Sequence, residues 1–395
     1  GAGMALGPPD PSAEEGTVAA ARRHPAAVRA VGPILFSVGG GLLLAAVAVR
    51  LLGVEPARFF GLLFEGTLGS AYGFSQVLFK ATPLLFTGLA VAVAFRARLF
   101  NIGAEGQMAI GGFAMAWAGF AAPPLPFPAG ALLALAAGAA GGALWGFLPG
   151  TMKARTGGSE VIVTIMLNFI ALALVNYLLV SRYALPETVR TAEIAPGAWL
   201  PRFSEWIPAL KGSPLSAAFL VGAALAVVAH WVLARTSFGY ALAVLGDGRA
   251  QARYAGLPVS RLTILALTLS GALAGMAGSG FILGYKHYLE GDFTAGAGFS
   301  GIAVALLARN RPLAVIPSAV FFGLLSYGGL VVNPIVPREV LDVLQAVILL
   351  LFIIGNRWFA GEDLLPGLRR GKFPRALAAV RRWRGRAPAD QGREA

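Results

Sequence analysis

The stretch Leu99-Phe100-Asn101-Ile102-Gly103-Ala104-Glu105-Gly106-Gln107-Met108 sets three hydrogen-bonding side chains, Asn101, Glu105 and Gln107, beside two glycines at the edge of long apolar runs. Polar groups at membrane depth are costly and tend to line cavities or solute paths. Two readings stand for this stretch. One is a broken helix whose amides and open backbone face a passing solute; the other is an ordinary cytoplasmic turn with a capped helix start. Further along, Gly157-Gly158-Ser159-Glu160-Val161-Ile162-Val163-Thr164 has the form of a helix start, with Ser159 as cap and Glu160 complementing the helix dipole. Asn168 falls in the middle of the apolar run that follows, where its amide needs either a neighbouring helix or a polar solute as partner. The chemistry on offer is recognition of hydrogen-bonding groups rather than bond-making.

Catalytic alternatives find little support. There is no G-x-x-x-x-G-K-[ST] phosphate loop, so ATP hydrolysis by this chain itself is not expected. No Ser/His/Asp set or paired carboxylates can be identified. Cysteine is absent, which excludes disulfides, thiolate catalysis and iron–sulfur clusters, and His24, His230 and His287 are too scattered for a histidine-rich metal site. The expectation is a chain that is not an enzyme and holds no cofactor or metal of its own.

The elements that must position these residues follow from composition. Of 395 residues, 57% are apolar and only 13% charged, with a mean hydropathy of +0.71; an ordinary soluble chain carries about 25% charged residues. Between Gly106 and Met152 run 47 residues without Asp, Glu, Lys or Arg, divided by Pro123-Pro124-Leu125-Pro126-Phe127-Pro128, which implies two spans and a tight turn. Ala30–Val49, Val161–Ser181, Gly212–Ala234, Leu262–Tyr285 and Pro312–Pro337 each supply one more span, and Ala81–Phe95, Phe293–Ala308 and Val343–Asn356 supply three short ones. The expected fold is an all-α polytopic membrane protein of about ten transmembrane helices. Glycine, 52 residues, points to close helix packing and broken helices.

A net charge of +13 usually suggests nucleic acid, but here the basic residues are diluted by uncharged runs, and nucleic acid is not an expected partner. With both termini inside, cytoplasmic segments hold 23 Lys and Arg and external ones 9, as the positive-inside rule requires. The organisation expected is a disordered cytoplasmic arm over 1–32, a transmembrane domain over 33–356, and a basic cytoplasmic tail over 357–395. Arg369–Arg386, with Trp383, either lies on anionic lipid headgroups or is a solvated tail. The external loop 182–211, with Trp199 and Trp206, reads as an interfacial or docking element or a simple linker, Lys286 and His287 as a solvated rim, and 53–80 as containing an amphipathic element at the outer interface.

The cytoplasmic segment 235–261 is unusually organised. Glycines bound a short helix over Arg249-Ala250-Gln251-Ala252-Arg253-Tyr254-Ala255, ended by Gly256 and Pro258. Such a helix between two spans suits docking into another protein's groove, or is a surface helix with no partner.

Four stretches in one order carry a resemblance: Phe100-Asn101-Ile102-Gly103-Ala104-Glu105-Gly106-Gln107, Glu160-Val161-Ile162-Val163-Thr164-Ile165-Met166-Leu167-Asn168, Gly239-Tyr240-Ala241-Leu242 through Arg253-Tyr254-Ala255-Gly256, and Gly298-Phe299-Ser300-Gly301-Ile302-Ala303-Val304-Ala305-Leu306-Leu307. The chain resembles the permease subunits of bacterial ABC importers in the branched-chain amino acid, simple sugar and nucleoside group, within it the purine nucleoside and guanosine branch. That resemblance implies an inverted-repeat permease fold in the bacterial cytoplasmic membrane. It implies an ABC ATP-binding subunit carrying ATP and Mg, a second and non-identical permease, and a substrate-binding lipoprotein. It also implies that Arg249, Ala250, Gln251, Ala252, Arg253, Tyr254 and Gly256 form the coupling helix. The family's acidic-alanine-alanine pattern followed by glycine keeps its glycine here as Gly256, while Gln251 and its neighbours supply no acidic residue, which removes the salt bridge the usual Glu would make. Phe100, Asn101, Glu105, Gln107 and Asn168 are the expected substrate-path residues, amides reading base edges or ribose hydroxyls and an aromatic ring stacking on a base. The same machinery carrying simple sugars or branched-chain amino acids is the alternative. An ion-coupled secondary transporter would need a midplane ion site, and Glu105 and Glu160 are expected only at the cytoplasmic edge.

Overall fold

The structure, a computed structural model, describes residues 26–337 and 339–360. The expected arm, except its last residues, and the basic tail beyond Ala360 lie outside the described residues, as does Arg338. The described helices are α1 (Ala26–Leu51), α2 (Pro56–Thr67), α3 (Ala71–Arg96), α4 (Ala104–Ala121), α5 (Ala129–Thr156), α6 (Glu160–Leu178), α7 (Ala218–Arg235), α8 (Ser237–Asp247), α9 (Arg249–Tyr254), α10 (Val259–Gly275), α11 (Ala297–Leu307), α12 (Pro312–Val332) and α13 (Glu339–Ala360). α6 runs on into a π-helical turn, Leu179–Tyr183, and α10 is followed by a helical turn, Ser279–Phe281, and a π-helical segment, Ile282–Lys286. Among the described residues the only pairing of extended backbone is two isolated bridges, Arg190 with Glu290 and Arg202 with Ser216.

Seven of these helices are long and apolar enough to cross a membrane, or eight if the bent pair Leu35–Leu51 and Pro56–Thr67, which meet at 120°, counts as one span. The chain is therefore a multi-pass membrane protein. Two expected short spans are longer than the sequence scan allowed: Ala81–Phe95 is the second part of the 26-residue α3, and Val343–Asn356 lies inside the 22-residue α13. Lys80 and Asp342, charges that read as boundaries in sequence, both lie inside helices, Lys80 well within α3 and Asp342 in the first turn of α13. By contrast α11, with 11 residues, is only about 16 Å long, too short for a hydrocarbon core of about 30 Å.

The described residues divide into two compact units, one within 43–349 and the other formed by 26–42 with 350–360. In the smaller unit the Phe36 and Trp358 rings lie 6.2 Å apart. The core of the larger unit is built on glycine. Gly138, Gly142 and Gly146 repeat at four-residue spacing down one face of α5 and meet Gly271 and Gly275 of α10 backbone to backbone. A Cβ added at Gly142 would fall on the Gly271 carbonyl oxygen and 2.6 Å from the Gly275 Cα. Without a hydrophobic force between helices in lipid, such close approach of backbones is what drives their association. Helix directions follow from packing: a Cβ at Gly88 would reach Val315, and one at Gly323 would reach Ala81, so α3 and α12 run antiparallel.

Candidate functional site

The end of α3 is where the polar stretch begins. After Arg96 the chain reverses through a tight turn, with Arg98 in the left-handed region at φ 50, and climbs back along the bundle. Asn101 Nδ2 donates to the Ser270 hydroxyl at 2.7 Å, and that hydroxyl donates to the Ala90 carbonyl at 2.7 Å. Asn101 is thus level with Ala90, about 9 Å back from Arg96 along the helix. The segment 97–103 turns back into the bundle, so Glu105 lies inside it, away from the end of α3 at Arg96.

Four of the five expected path residues come together there. Asn101 Nδ2 also donates to Gln107 Oε1 at 2.8 Å, and Gln107 Nε2 returns a bond to Asn101 Oδ1 at 3.2 Å, while the Gly103 N–H donates to that same oxygen at 3.0 Å. From α6, Asn168 accepts from the Gly106 N–H at 2.9 Å and donates to the Ile102 carbonyl at 2.9 Å. Asn168 therefore clamps the re-entrant backbone from both sides. All four are buried, Glu105 at 3% exposure and Asn101 at 0%. Phe100 stands apart, half-buried, with its ring edge-on to Phe95 at 6.0 Å.

Glu105 does something the sequence did not disclose. Its carboxylate accepts from the Gly296 N–H at 3.1 Å through Oε1 and from the Gly298 N–H at 2.6 Å through Oε2. Glu105 itself sits in the first turn of α4, while Gly296 and Gly298 flank the start of α11. One carboxylate thus faces the positive ends of two helix dipoles and satisfies donors that a helix start leaves open. Gly298 has to be glycine, because a Cβ there would fall on the Glu105 backbone.

Immediately beyond this knot lies a cavity of about 410 Å³. Met108, next to Gln107, and Thr294, Ala295 and Ala297, next to the glycines that Glu105 holds, form part of its lining. None of the five expected path residues lines it; they stand behind its wall. Its other walls come from the middle turns of α3, the early turns of α13, the second half of α12, and the π-helical segment with the loop after it. Phe79, Phe281, Tyr285 and Phe293 provide rings, and Glu290, Asp292 and Asp342 provide carboxylates. The sequence carried a weak signal for these, the four-residue spacing of Phe281 and Tyr285 with acids shortly after.

The loop 182–211 straps that last wall. Its backbone pairs with the segment after α10 through Thr191 N–H to the Leu289 carbonyl (2.9 Å), Ile194 N–H to His287 (2.8 Å) and Leu200 N–H to Leu283 (2.9 Å). Arg202 donates to the Gly284 and Tyr285 carbonyls at 2.6 Å each, capping the π-helical segment. His287 is not a solvated rim residue: its ring stacks on Trp199 at 4.0 Å and 17° and lies 2.6 Å from the Arg202 guanidinium. Burial and that neighbouring positive charge push its pKa down to about 4. Lys286 pairs loosely with Glu290 at 3.9 Å.

At the opposite end, α9 forms over Arg249–Tyr254 as expected. Ala252 is buried against the core, Gln251 and Arg253 are exposed, and Tyr254 is 98% exposed. Gly256 follows in the left-handed region, φ 72. Ser159 makes no cap hydrogen bond; instead Glu160 pairs with Lys153 at 2.7 Å, tying the start of α6 to the end of α5. Among the described residues no group of three or more His, Asp or Glu side chains can hold a metal ion.

Comparison with known proteins bears on this arrangement. The profile of the family described as branched-chain amino acid transport system, permease component, matches residues 73–353. The chain is 38% identical over 318 residues to the guanosine ABC transporter permease of Bacillus subtilis, covering 78% of this chain and 89% of the relative. It is 33% identical over 348 residues to a glucose ABC transporter permease of Haloferax volcanii, covering 86% and 90%. A nucleoside ABC transporter permease of Lactococcus lactis is 31% identical over 340 residues, covering 84% and 92%.

Proposed function

Because the chain belongs to the permease-component family of the branched-chain amino acid transport systems, we propose that it is the membrane subunit of an ATP-driven importer and that its solute is a nucleoside. The observation that carries the solute class is the 38% identity to a guanosine permease over nearly the whole of that relative. A sugar is the second reading, favoured by the 33% identity to a glucose permease.

In this reading the end bearing Arg96, Lys153, Arg155, Arg235, Arg253 and Arg309 is cytoplasmic, the termini are cytoplasmic, and the cavity opens outward in the bacterial cytoplasmic membrane. Ten helices are embedded, α4 and α11 as half-helices. Each follows a longer helix, α3 and α10, and their N-termini meet at Glu105, which supports an inverted repeat of broken helices around a central site. Arg249, Ala250, Gln251, Ala252, Arg253, Tyr254 and Gly256 form the coupling helix, Ala252 anchoring it while Tyr254 enters a partner ATPase that binds ATP and Mg. A second, non-identical permease and a substrate-binding lipoprotein complete the machine. Asn101, Glu105, Gln107 and Asn168, with Phe100, belong to the solute path as the brace behind its wall, released or reshaped when ATPase closure switches access. The arm 1–32 and tail 357–395 lie outside the permease domain 33–356.

The test is co-purification of the chain with its partner subunits and measurement of ATP hydrolysis in lipid. Stimulation by guanosine, and loss of uptake in Asn101→Ala and Asn168→Ala, are expected. Stimulation by glucose or leucine but not by guanosine refutes the nucleoside assignment, and full uptake in both variants refutes the path assignment.

A further inference from the structure

The cavity beyond the Glu105 knot has the make-up of a site for a ring-bearing polar solute. Its volume of about 410 Å³ lies within the ~300–1,000 Å³ typical of small-molecule sites. Phe281 and Phe293 stand 6.3 Å apart with planes tilted by 32°, and Tyr285 meets Phe79 edge-on at 5.5 Å. Phe281 and Phe293 are only half-buried and Tyr285 is 38% exposed, so part of each ring is open to a guest. The Phe293 ring is held by a glycine notch: a Cβ at Gly112 would land on its tip, and one at Gly278 would come within 3.1 Å of its edge. Such a fixed ring costs little further order when it stacks. Hydroxyls of Thr294, Ser300 and Ser326 and the amide of Gln345 share the lining, giving donors and acceptors beside the rings.

The charges around the cavity are unbalanced. Glu290, Asp292 and Asp342 share the lining with one ammonium, Lys80, and Glu290 is loosely paired with Lys286 beside it at 3.9 Å, so one negative charge is left in excess; in a partly dehydrated site the field of a carboxylate acts on another anion far more strongly than in water. A dianionic phosphate would therefore be repelled where a neutral base and ribose would not.

Resting on the nucleoside importer reading, we propose that this cavity is the site at which the solute first lodges inside the permease, stacked on Phe281 and Phe293, and that its carboxylates admit uncharged nucleosides while rejecting nucleoside phosphates. Neither the rings nor the carboxylates belong to the polar stretches through which the family is recognised.

The absence of cysteine makes the test direct. Ser300→Cys and Ser326→Cys put single thiols in the lining, and Thr188→Cys puts one in the exposed external loop. In the assembled complex in lipid nanodiscs, the rate of modification of this chain by a small methanethiosulfonate is followed with guanosine, guanosine 5′-monophosphate or glucose. Guanosine is expected to slow modification several-fold at positions 300 and 326 and not at 188, with the monophosphate giving no protection. In Asp292→Asn combined with Asp342→Asn, the monophosphate should begin to protect. That comparison is a ratio within one preparation and is insensitive to the folded yield. Guanosine uptake without protection at either position overturns the cavity while leaving the importer reading intact. Equal protection by guanosine and its monophosphate in the unsubstituted background overturns the charge selection. Protection and uptake with glucose alone overturn the nucleoside class here and in the importer reading together.

Discussion

Glu105→Gln is the sharpest probe of how the starts of α4 and α11 are held together. The substitution keeps the length and shape of the side chain but replaces one acceptor oxygen by an NH2 group. In the native chain Oε1 and Oε2 each accept a backbone N–H, from Gly296 and Gly298. A hydrogen bond to a charged group contributes about 1.5–3 kcal/mol, and leaving a buried donor without a partner costs about 1–3 kcal/mol. The amide oxygen can serve only one of the two N–H groups, and the other faces a donor. With Glu105 at 3% exposure, water is a poor substitute. The local penalty is therefore about 2–4 kcal/mol, and Glu105→Ala, which orphans both donors, costs more. The assay is amide hydrogen exchange of the complex in nanodiscs, read on peptides covering residues 296–300. At a tenfold change per ~1.4 kcal/mol, protection there should fall by about 30- to 1,000-fold in Glu105→Gln, and further in Glu105→Ala. Peptides of the α5–α10 contact serve as the internal reference and should not change. Unaltered exchange at 296–300 in Glu105→Gln would refute the claim that this carboxylate caps α11.

Three further expectations follow from the same structure. Gly142→Ala should destabilise by about 1–3 kcal/mol or more, because its Cβ meets backbone that cannot step aside; Gly61→Ala, with open space around it in the interior of α2, should be neutral or stabilising by about 0.5–1 kcal/mol. Thermal denaturation of the two variants side by side reads the difference. Acid should loosen the strap formed by the loop 182–211. His287 is held at about 4, below its ordinary 6.5, so between these values the unfolded chain binds a proton that the native one does not. Stability falls as pH drops from about 6.5 to about 4 and is level above that window; His287→Gln should show a shallower fall when protease cleavage of the loop 182–211 is followed against pH. Finally, Tyr254→Ala should leave solute binding in place while uncoupling ATP hydrolysis from uptake, and normal coupled uptake would count against α9 as the docking helix.

The class of molecule was legible in one dimension. Apolar runs of about 20 residues leave a chain no fate but a membrane, since only there can such runs be stably exposed. The short helix at Arg249–Tyr254 was legible too, because its glycine boundaries are local signals. Spacing also picked out Asn101, Glu105, Gln107 and Asn168 as residues that must find partners. Which partners they find was not legible. Glu105 bonds to amides more than 190 positions away, and Asn101 reaches Ser270 at a separation of 169, and no local periodicity encodes such meetings. Helix ends near Lys80 and Asp342 were misjudged because a charge reads as a boundary in sequence, whereas in the bundle both side chains turn into a common cavity. That cavity brings together Phe79, Phe281, Phe293 and Asp342, residues of separate segments with no shared motif. Sequence alone determined that the chain is membrane-embedded, that its helices would approach closely through glycine, and that its few buried amides would be structural or solute-facing. The tertiary structure decided between those last two roles for the conformation at hand: the amides are consumed in fastening the re-entrant turn, because a buried polar group takes the nearest partner that packing supplies.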